Sequence, residues 1–237
     1  MVRKEAIVLA GGLGTRLRGV LPNMPKCMAP VGEMPFLTYV LDYLLTQDIH
    51  RVILSVGYRK DQVMNYFGNS FKSLEIGYAM EEEPLGTGGA IKLSLGMCTA
   101  ENVFVLNGDT YFTPDLAAMQ KLHETSMADI TIAIKQVEDS GRYGSVVSDN
   151  SGRIIDFKEK DPSAKEGWIN GGIYLINKHI LDSVKETKFS IENDVFKHAA
   201  ERLHIHAFPT DSFFLDMGIP TDYAKAQEIL PTISRKR

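Results

Sequence analysis

The chain has 237 residues, 44% hydrophobic and 24% charged, with a formal net charge of -4. That length buries a substantial core, and the mild acidity argues against a broad polynucleotide-binding face while leaving room for a local basic pocket suited to a single nucleotide. Cys27 and Cys98 alone make neither a disulfide framework nor a zinc set, and no apolar run approaches a membrane span or a signal peptide. A cytoplasmic protein without membrane insertion is expected.

The first apolar run, AIVLA over Ala6 to Ala10, reads as a strand, and glycines follow at 11, 12 and 14 directly before Thr15 and Arg16. A glycine-rich turn from strand to helix leaves N–H groups pointing outward, and the missing Cβ atoms let an anion approach. Two common phosphate loops do not fit. Gly14 is followed by Thr15-Arg16-Leu17 where the P-loop needs Lys and then Ser or Thr, and Leu17 stands where the dinucleotide fingerprint needs its third glycine. Leu37, Val40, Leu41, Leu44 and Leu45 then share one face of a helix after Pro35. RVILSVG, LEIGYAM and NVFVLNGD continue the alternation of short strands with helical segments, which is a βαβ pattern with a predominantly parallel sheet and ligands at the strands' carboxyl ends. PDLAAMQKLHETS predicts a helix with Pro114 in its first turn, and DITIAIKQV returns as a strand. From about Tyr143 the texture changes to a hairpin turning on Asp-Asn-Ser-Gly, the strand WINGGIYLI, a helix IENDVFKHAAERL capped by Ser190, and a last helix IPTDYAKAQEIL.

Gly11-Gly12-x-Gly14-Thr15-Arg16-Leu17 followed by Pro25-Lys26 resembles the signature of the sugar-1-phosphate nucleotidyltransferases. The resemblance implies an α/β, Rossmann-like three-layer nucleotidyltransferase fold with a predominantly parallel mixed central sheet. It would form a single domain over 1–237, with a nucleotide-binding half over about 1–135 and a sugar-phosphate-binding half over about 136–237. It further implies that Leu9, Gly11, Gly12, Gly14 and Thr15 wrap a triphosphate, that Arg16 contacts it, and that Lys26 sits near the α-phosphate and the incoming sugar phosphate. Such charge placement suits nucleotidyl transfer, which depends on positioning and neutralisation.

Four later segments extend the resemblance. EPLGTGGA, Glu83 to Ala90, is similar to the family's base-recognition loop, with Gly88 where Ala is more usual. Pro84, Gly86, Thr87 and the preceding Glu81 are its implied nucleotide contacts. Glu81 stands where thymidylyltransferase relatives carry Gln, and a carboxylate, which only accepts hydrogen bonds, suits the N1–H and N2–H₂ donors of guanine. VLNGDT brings Asn107 and Gly108 to the nucleotide and Asp109 to a metal, and FFLDMGIPTDY supplies Asp216 as the second metal carboxylate, implying Mg²⁺ as cofactor. FKEKDP assigns Glu159 and Lys160 to the sugar hydroxyls and phosphate, although Asp161 interrupts the usual pattern before Pro162. WINGGIY assigns Asn170 and Gly171 to the sugar side.

The implied partners are a nucleoside triphosphate and a sugar 1-phosphate, joined by direct in-line attack with loss of pyrophosphate. Within the family the chain looks most like enzymes using GTP and D-glycero-α-D-manno-heptose 1-phosphate. Mannose, glucose or N-acetylmuramate 1-phosphate with GTP, UTP or dTTP stays open, as do a non-catalytic nucleotide-binding relative and a homo-oligomer. His204 and His206 lack an acidic third ligand, and no local motif marks a Ser or Cys nucleophile.

Overall fold

The computed structural model describes residues 4–12, 23–158, 161, 165–197 and 202–234. In chain order the first half gives β1 (Glu5–Leu9), a 3-10 turn (Lys26–Met28), β2 (Pro30–Val31), β3 (Met34–Pro35), α1 (Phe36–Thr46), β4 (Arg51–Val56), α2 (Lys60–Phe67) and β5 (Ser70–Phe71). There follow β6 (Leu74–Met80), α3 (Gly86–Leu95), β7 (Asn102–Asn107), β8 (Thr110–Phe112), α4 (Leu116–Thr125) and β9 (Ile130–Val137). The second half adds β10 (Ser145–Ser148), β11 (Ile154–Lys158), β12 (Gly167–Asn177), a π-helical turn (Ile191–Phe196), β13 (Ile205–Pro209), β14 (Phe214–Asp216) and α5 (Pro220–Ser234).

The main sheet runs β11-β10-β12-β7-β1-β4-β6-β5, with β9 pairing β12 and β13. Its centre, β7-β1-β4-β6, is parallel throughout, with Leu9 opposite both Ser55 and Asn107 and Val56 opposite Met80. The antiparallel pairing of β12 with β7 joins the second half to this centre. The sequence reading of a parallel sheet with a mixed second half therefore describes the architecture.

Strand alternation builds the layers. Ala6 and Val8 of β1 face one side with Leu37, Leu41 and Leu44 of α1, Met119 of α4 and Leu230 of α5, whereas Ile7 faces the other with Ile91 of α3 and Phe196 of the π-helical turn. The result is three layers, with an apolar face buried on each side of the sheet. The α1 stripe forms as its spacing predicts. At α4 the start shifts from the expected Pro114 to Leu116, because the Asp115 carboxylate accepts the Ala118 N–H at 2.9 Å and is the N-cap, leaving Pro114 outside the helix.

The hairpin of β10 and β11 turns where expected. Asp149 Oδ1 accepts from the Ser151 N–H, the Ser151 hydroxyl and the Arg153 N–H, and Gly152 takes a positive φ of +87°. Ser190 caps as expected, its Oγ accepting from the Asn193 N–H at 3.2 Å, but the helix it opens begins with a π-helical turn.

Candidate active site

Parallel strands end in one row, so the residues just past β1, β4, β6 and β7 share a single crevice edge. The ends of β1, β4 and β7 meet by close backbone approach. The Gly108 N–H donates to Leu9 O at 3.0 Å, and a Cβ on Gly108 would lie 2.5 Å from that oxygen. A Cβ on Gly11 would lie 2.5 Å from Glu81 Oε1 and 3.1 Å from the Gly57 nitrogen. Gly108 therefore lets the ends of β1 and β7 converge, and Gly11 leaves room for the Gly57 backbone past β4 and for the Glu81 carboxylate reaching in from β6. Gly12 meets nothing and is exposed. Gly14, Thr15 and Arg16 lie outside the described residues, as do Glu159 and Lys160.

Beyond β7 the charges concentrate. Lys26, on the buried 3-10 turn, places Nζ 2.5 Å from Asp109 Oδ2 and 3.9 Å from Asp216 Oδ1. The two aspartates come from distant sequence but neighbouring backbone: Asp216 pairs with Thr110 in the β8–β14 ladder, and the Met217 N–H donates to Asp109 O at 3.0 Å. Mg²⁺ is ordinarily held by one or two carboxylates, with phosphate oxygens and water completing its shell. Two carboxylates converging on one cationic group fit that donor set, and among the described residues no third His, Cys, Asp or Glu joins them. Burial first, and then the Asp109 charge, push the Cys27 thiol beside this group up to about 12, so it is an inert packing residue.

At the far end of the row, Glu81 Oε1 accepts from the Ser55 hydroxyl at 3.2 Å and Oε2 from the Leu85 N–H at 3.0 Å. These bonds orient the carboxylate and pin the loop containing the exposed Pro84. The glycines that follow serve a second purpose that the motif did not show. Gly86 has φ +73°, and a Cβ there would lie 2.5 Å from Phe189 O. Gly88 leaves room for the Phe189 ring and Gly89 for Thr187 O. The loop and the start of α3 thus pack directly on the segment before the π-helical turn.

Across β7 lies the turn inside β12. Its pairing with β9 slips between Asn170 and Tyr174, and Gly172 has φ +75°, with a Cβ there lying 2.5 Å from Asn107 Nδ2. Asn107 and this turn are therefore immediate neighbours, while Gly171 is buried and the space of its absent side chain is taken by the Phe112 ring. Asn170 Oδ1 accepts the Gly172 N–H at 2.9 Å, and its Nδ2 donates to the Tyr174 hydroxyl at 2.9 Å.

Three neighbours of this site carry no glycine motif and escaped the sequence reading. Glu192 accepts from the Thr87 hydroxyl at 2.6 Å and from the Tyr174 hydroxyl at 3.4 Å. The half-buried Tyr143 stacks edge-on against Phe214, two residues from Asp216, and its phenol is pushed up to about 12 by burial and then by the Asp216 charge. Arg142 beside it pairs with Asp222 at 2.5 Å. A Glu in the first turn of a helix reads in sequence as a dipole-stabilising charge, so only the fold gives Glu192 its distant partners.

The arrangement is an elongated row. Glu81 follows the end of β6 and its carboxylate leans over Ser55 of β4 to the space beside Gly11, while Asp109 follows β7 on the other side of β1. The profile of the family described as Nucleotidyl transferase matches residues 5–232. The chain belongs to that nucleotidyl transferase family. It is 47% identical to a D-glycero-alpha-D-manno-heptose 1-phosphate guanylyltransferase of Aneurinibacillus thermoaerophilus, over 95% of this chain and 98% of the relative. A protein of the same description from Campylobacter jejuni is 44% identical over 92% of this chain and 96% of the relative. The crystal structure of HddC from Yersinia pseudotuberculosis complexed with GMP-PN superposes with a TM-score of 0.83 at 36% identity, covering 96% of this chain and 99% of that one. Among the described residues of this nucleotidyl transferase, no helix is long and apolar enough to cross a membrane.

Proposed function

We propose that this nucleotidyl transferase moves the GMP unit of GTP onto D-glycero-α-D-manno-heptose 1-phosphate, releasing pyrophosphate. The observation that carries the reading is the full-length similarity to two guanylyltransferases acting on that sugar phosphate, at 47% and 44% identity. The geometry is compatible with it. One acceptor carboxylate sits at one end of a row of strand ends, and paired carboxylates with a buried ammonium sit at the other.

In this reading guanine lies at Glu81. A carboxylate offers about four lone-pair sites, and two are used by Ser55 and Leu85, which leaves acceptor capacity for the N1–H and N2–H₂ of guanine. Leu9, Gly11, Gly12, Asn107 and Gly108 line the path of the phosphates, and Gly14, Thr15 and Arg16 of the sequence motif are assigned to the same phosphates. Asp109 and Asp216 are the residues that would hold Mg²⁺, which neutralises phosphate oxygens when bound. Lys26 places positive charge where the α-phosphate becomes more negative. Asn170, with Glu159 and Lys160, orients the sugar phosphate so that one of its oxygens attacks the α-phosphorus. The new P–O bond forms as the bond to the β-phosphate oxygen breaks, and pyrophosphate leaves with the electron pair. No covalent enzyme intermediate is needed. The cytoplasm is the setting in which the substrates would be met.

The test is pyrophosphate release with Mg²⁺, five nucleoside triphosphates and a sugar 1-phosphate panel. GTP with the heptose phosphate should be the fastest pair. Preference for UTP or dTTP would remove the guanine assignment, brisk use of mannose 1-phosphate alone would remove the heptose assignment, and silence with every pair would leave a nucleotide-binding relative.

A further inference from the structure

We infer that Glu192 is a positioning residue: one carboxylate ties the nucleotide-side loop to the acceptor-side turn and so sets the two substrate subsites in register. The inference rests on the assignment of Thr87 to the nucleotide and Asn170 to the sugar phosphate.

Glu192 accepts from three hydroxyl groups. Its Oε2 accepts from the Thr87 hydroxyl at 2.6 Å and the Ser190 hydroxyl at 2.9 Å, and its Oε1 accepts from the Tyr174 hydroxyl at 3.4 Å. Each of those hydroxyl oxygens already accepts a hydrogen bond from elsewhere. Thr87 Oγ1 takes the Ile191 N–H at 3.0 Å, Ser190 Oγ takes the Asn193 N–H at 3.2 Å, and the Tyr174 oxygen takes Asn170 Nδ2 at 2.9 Å. All three hydroxyls direct their protons at Glu192, whose carboxylate accepts without donating. An amide would turn its NH₂ toward at least one of these hydroxyls, which could receive it on its second lone pair only by turning its own proton away from residue 192.

These bonds do more than cap the helix locally. Ser190 and the first-turn backbone suffice to cap the π-helical turn. The Tyr174 bond does not cap anything; it crosses to β12. Tyr174 is 1% exposed, its ring packs edge-on against Phe196 at 5.2 Å, and its neighbour in the chain of bonds, Asn170, fixes the Gly172 amide. Burial first and the Glu192 charge second hold the phenol well above its ordinary value, so it remains a donor. The path Thr87–Glu192–Tyr174–Asn170–Gly172 thus runs from the helix after the base loop to the acceptor turn through side chains with fixed roles. π-Helical turns are frequent at functional sites, and this one carries the central residue.

The test is a cycle of Thr87→Val and Tyr174→Phe, which keep side-chain shape and each remove one hydroxyl, with Thr87→Ser as the conservative rescue. Thr87→Val should raise the KM for the sugar phosphate about fivefold, although Thr87 is on the nucleotide side, while Thr87→Ser stays within about twofold of wild type. In the Tyr174→Phe background, where the path is already cut, adding Thr87→Val should change that KM by less than about twofold. Amide hydrogen exchange at Gly172, read without substrates, should accelerate in Thr87→Val and recover in Thr87→Ser. If Thr87→Val alters only the KM for GTP and leaves Gly172 exchange at its wild-type rate, the coupling role is wrong. Absence of turnover in the wild-type protein would overturn the substrate reading instead, and the exchange data would still decide the role of Glu192.

Discussion

Lys26 Nζ lies 2.5 Å from Asp109 Oδ2 and 3.9 Å from Asp216 Oδ1, so a single ammonium faces two carboxylates, one in the turn between β7 and β8 and one at the end of β14. The lysine therefore holds the position that best suits any added cation. Replacing it by a neutral side chain of similar length leaves the carboxylates facing each other without a counter-charge. In Lys26→Met, calorimetric titration of the nucleotide-free protein should show Mg²⁺ affinity raised on the order of tenfold. Turnover should nevertheless fall on the order of 10²-fold, because the charge near the reacting phosphate is gone. Unchanged Mg²⁺ affinity would separate Lys26 from the metal position.

Asp109→Asn and Asp216→Asn remove one anionic oxygen each with almost no change in shape. Both should retain the wild-type circular dichroism and lose Mg²⁺-dependent turnover by on the order of 10²-fold or more. Asp109 is the more exposed of the two, its side chain 38% accessible against 17% for Asp216. Near-normal turnover of either variant at limiting Mg²⁺ would remove it from the proposed metal pair.

What the sequence made legible was local. The run Ala6 to Ala10 reads as a strand because its residues are apolar on both faces, and the α1 stripe reads from its i, i+3, i+4 spacing. Asp109 was legible because it ends an apolar run at a glycine, where strand ends meet ligands. Asp216 owed its assignment to the family resemblance, since only the β8–β14 ladder brings it to Asp109. Gly86 owes its place in the base-recognition loop to the family resemblance, and the sequence shows nothing of the Phe189 contacts that Gly86 and Gly88 make about a hundred residues away in sequence. Glu192 was invisible for the same reason, because its partners Thr87 and Tyr174 meet it only through tertiary packing.

Glu5 predicts an acid limit to stability. It is 1% exposed at the start of β1, where its carboxylate accepts the Thr99 and Ala100 N–H groups and pairs with Arg51 at 2.9 Å. Burial alone would raise its pKa, but the Ala100 N–H, the Arg51 guanidinium and the Thr99 N–H together hold it below the ordinary value of 4.5. A folded-state pKa below the unfolded one gives stability that is present above the unfolded value and is lost as pH falls through the folded value. Denaturant titrations from pH 6 downward should show that loss beginning near 4.5 in the wild type and flattened in Glu5→Gln. Near neutral pH the variant should be less stable by about 2 kcal/mol, the worth of hydrogen bonds to a charged group. An equal acid slope in both proteins would assign the loss to other carboxylates.

Gly88→Ala sets two effects against each other. Within a helix, Ala is favoured over Gly by about 1 kcal/mol. Gly88 is buried in α3, however, and a Cβ there would overlap the ring of Phe189, itself 6% exposed and packed in the core. The Phe189 backbone is also fixed on this helix, its O accepting the Gly88 N–H at 2.9 Å and its N–H donating to Leu85 O at 3.0 Å. With the backbone held, the ring must leave its packed position, and such overpacking costs about 1–3 kcal/mol. Overpacking should win, leaving Gly88→Ala less stable by about 1 kcal/mol in urea titrations with an unchanged m value. In a Phe189→Leu background the overlap is relieved while the helical preference remains, so the same Gly88→Ala change should become stabilising. A stabilising effect already in the wild-type background would mean that the Phe189 ring has room to turn aside, and that the glycine is not held there by packing.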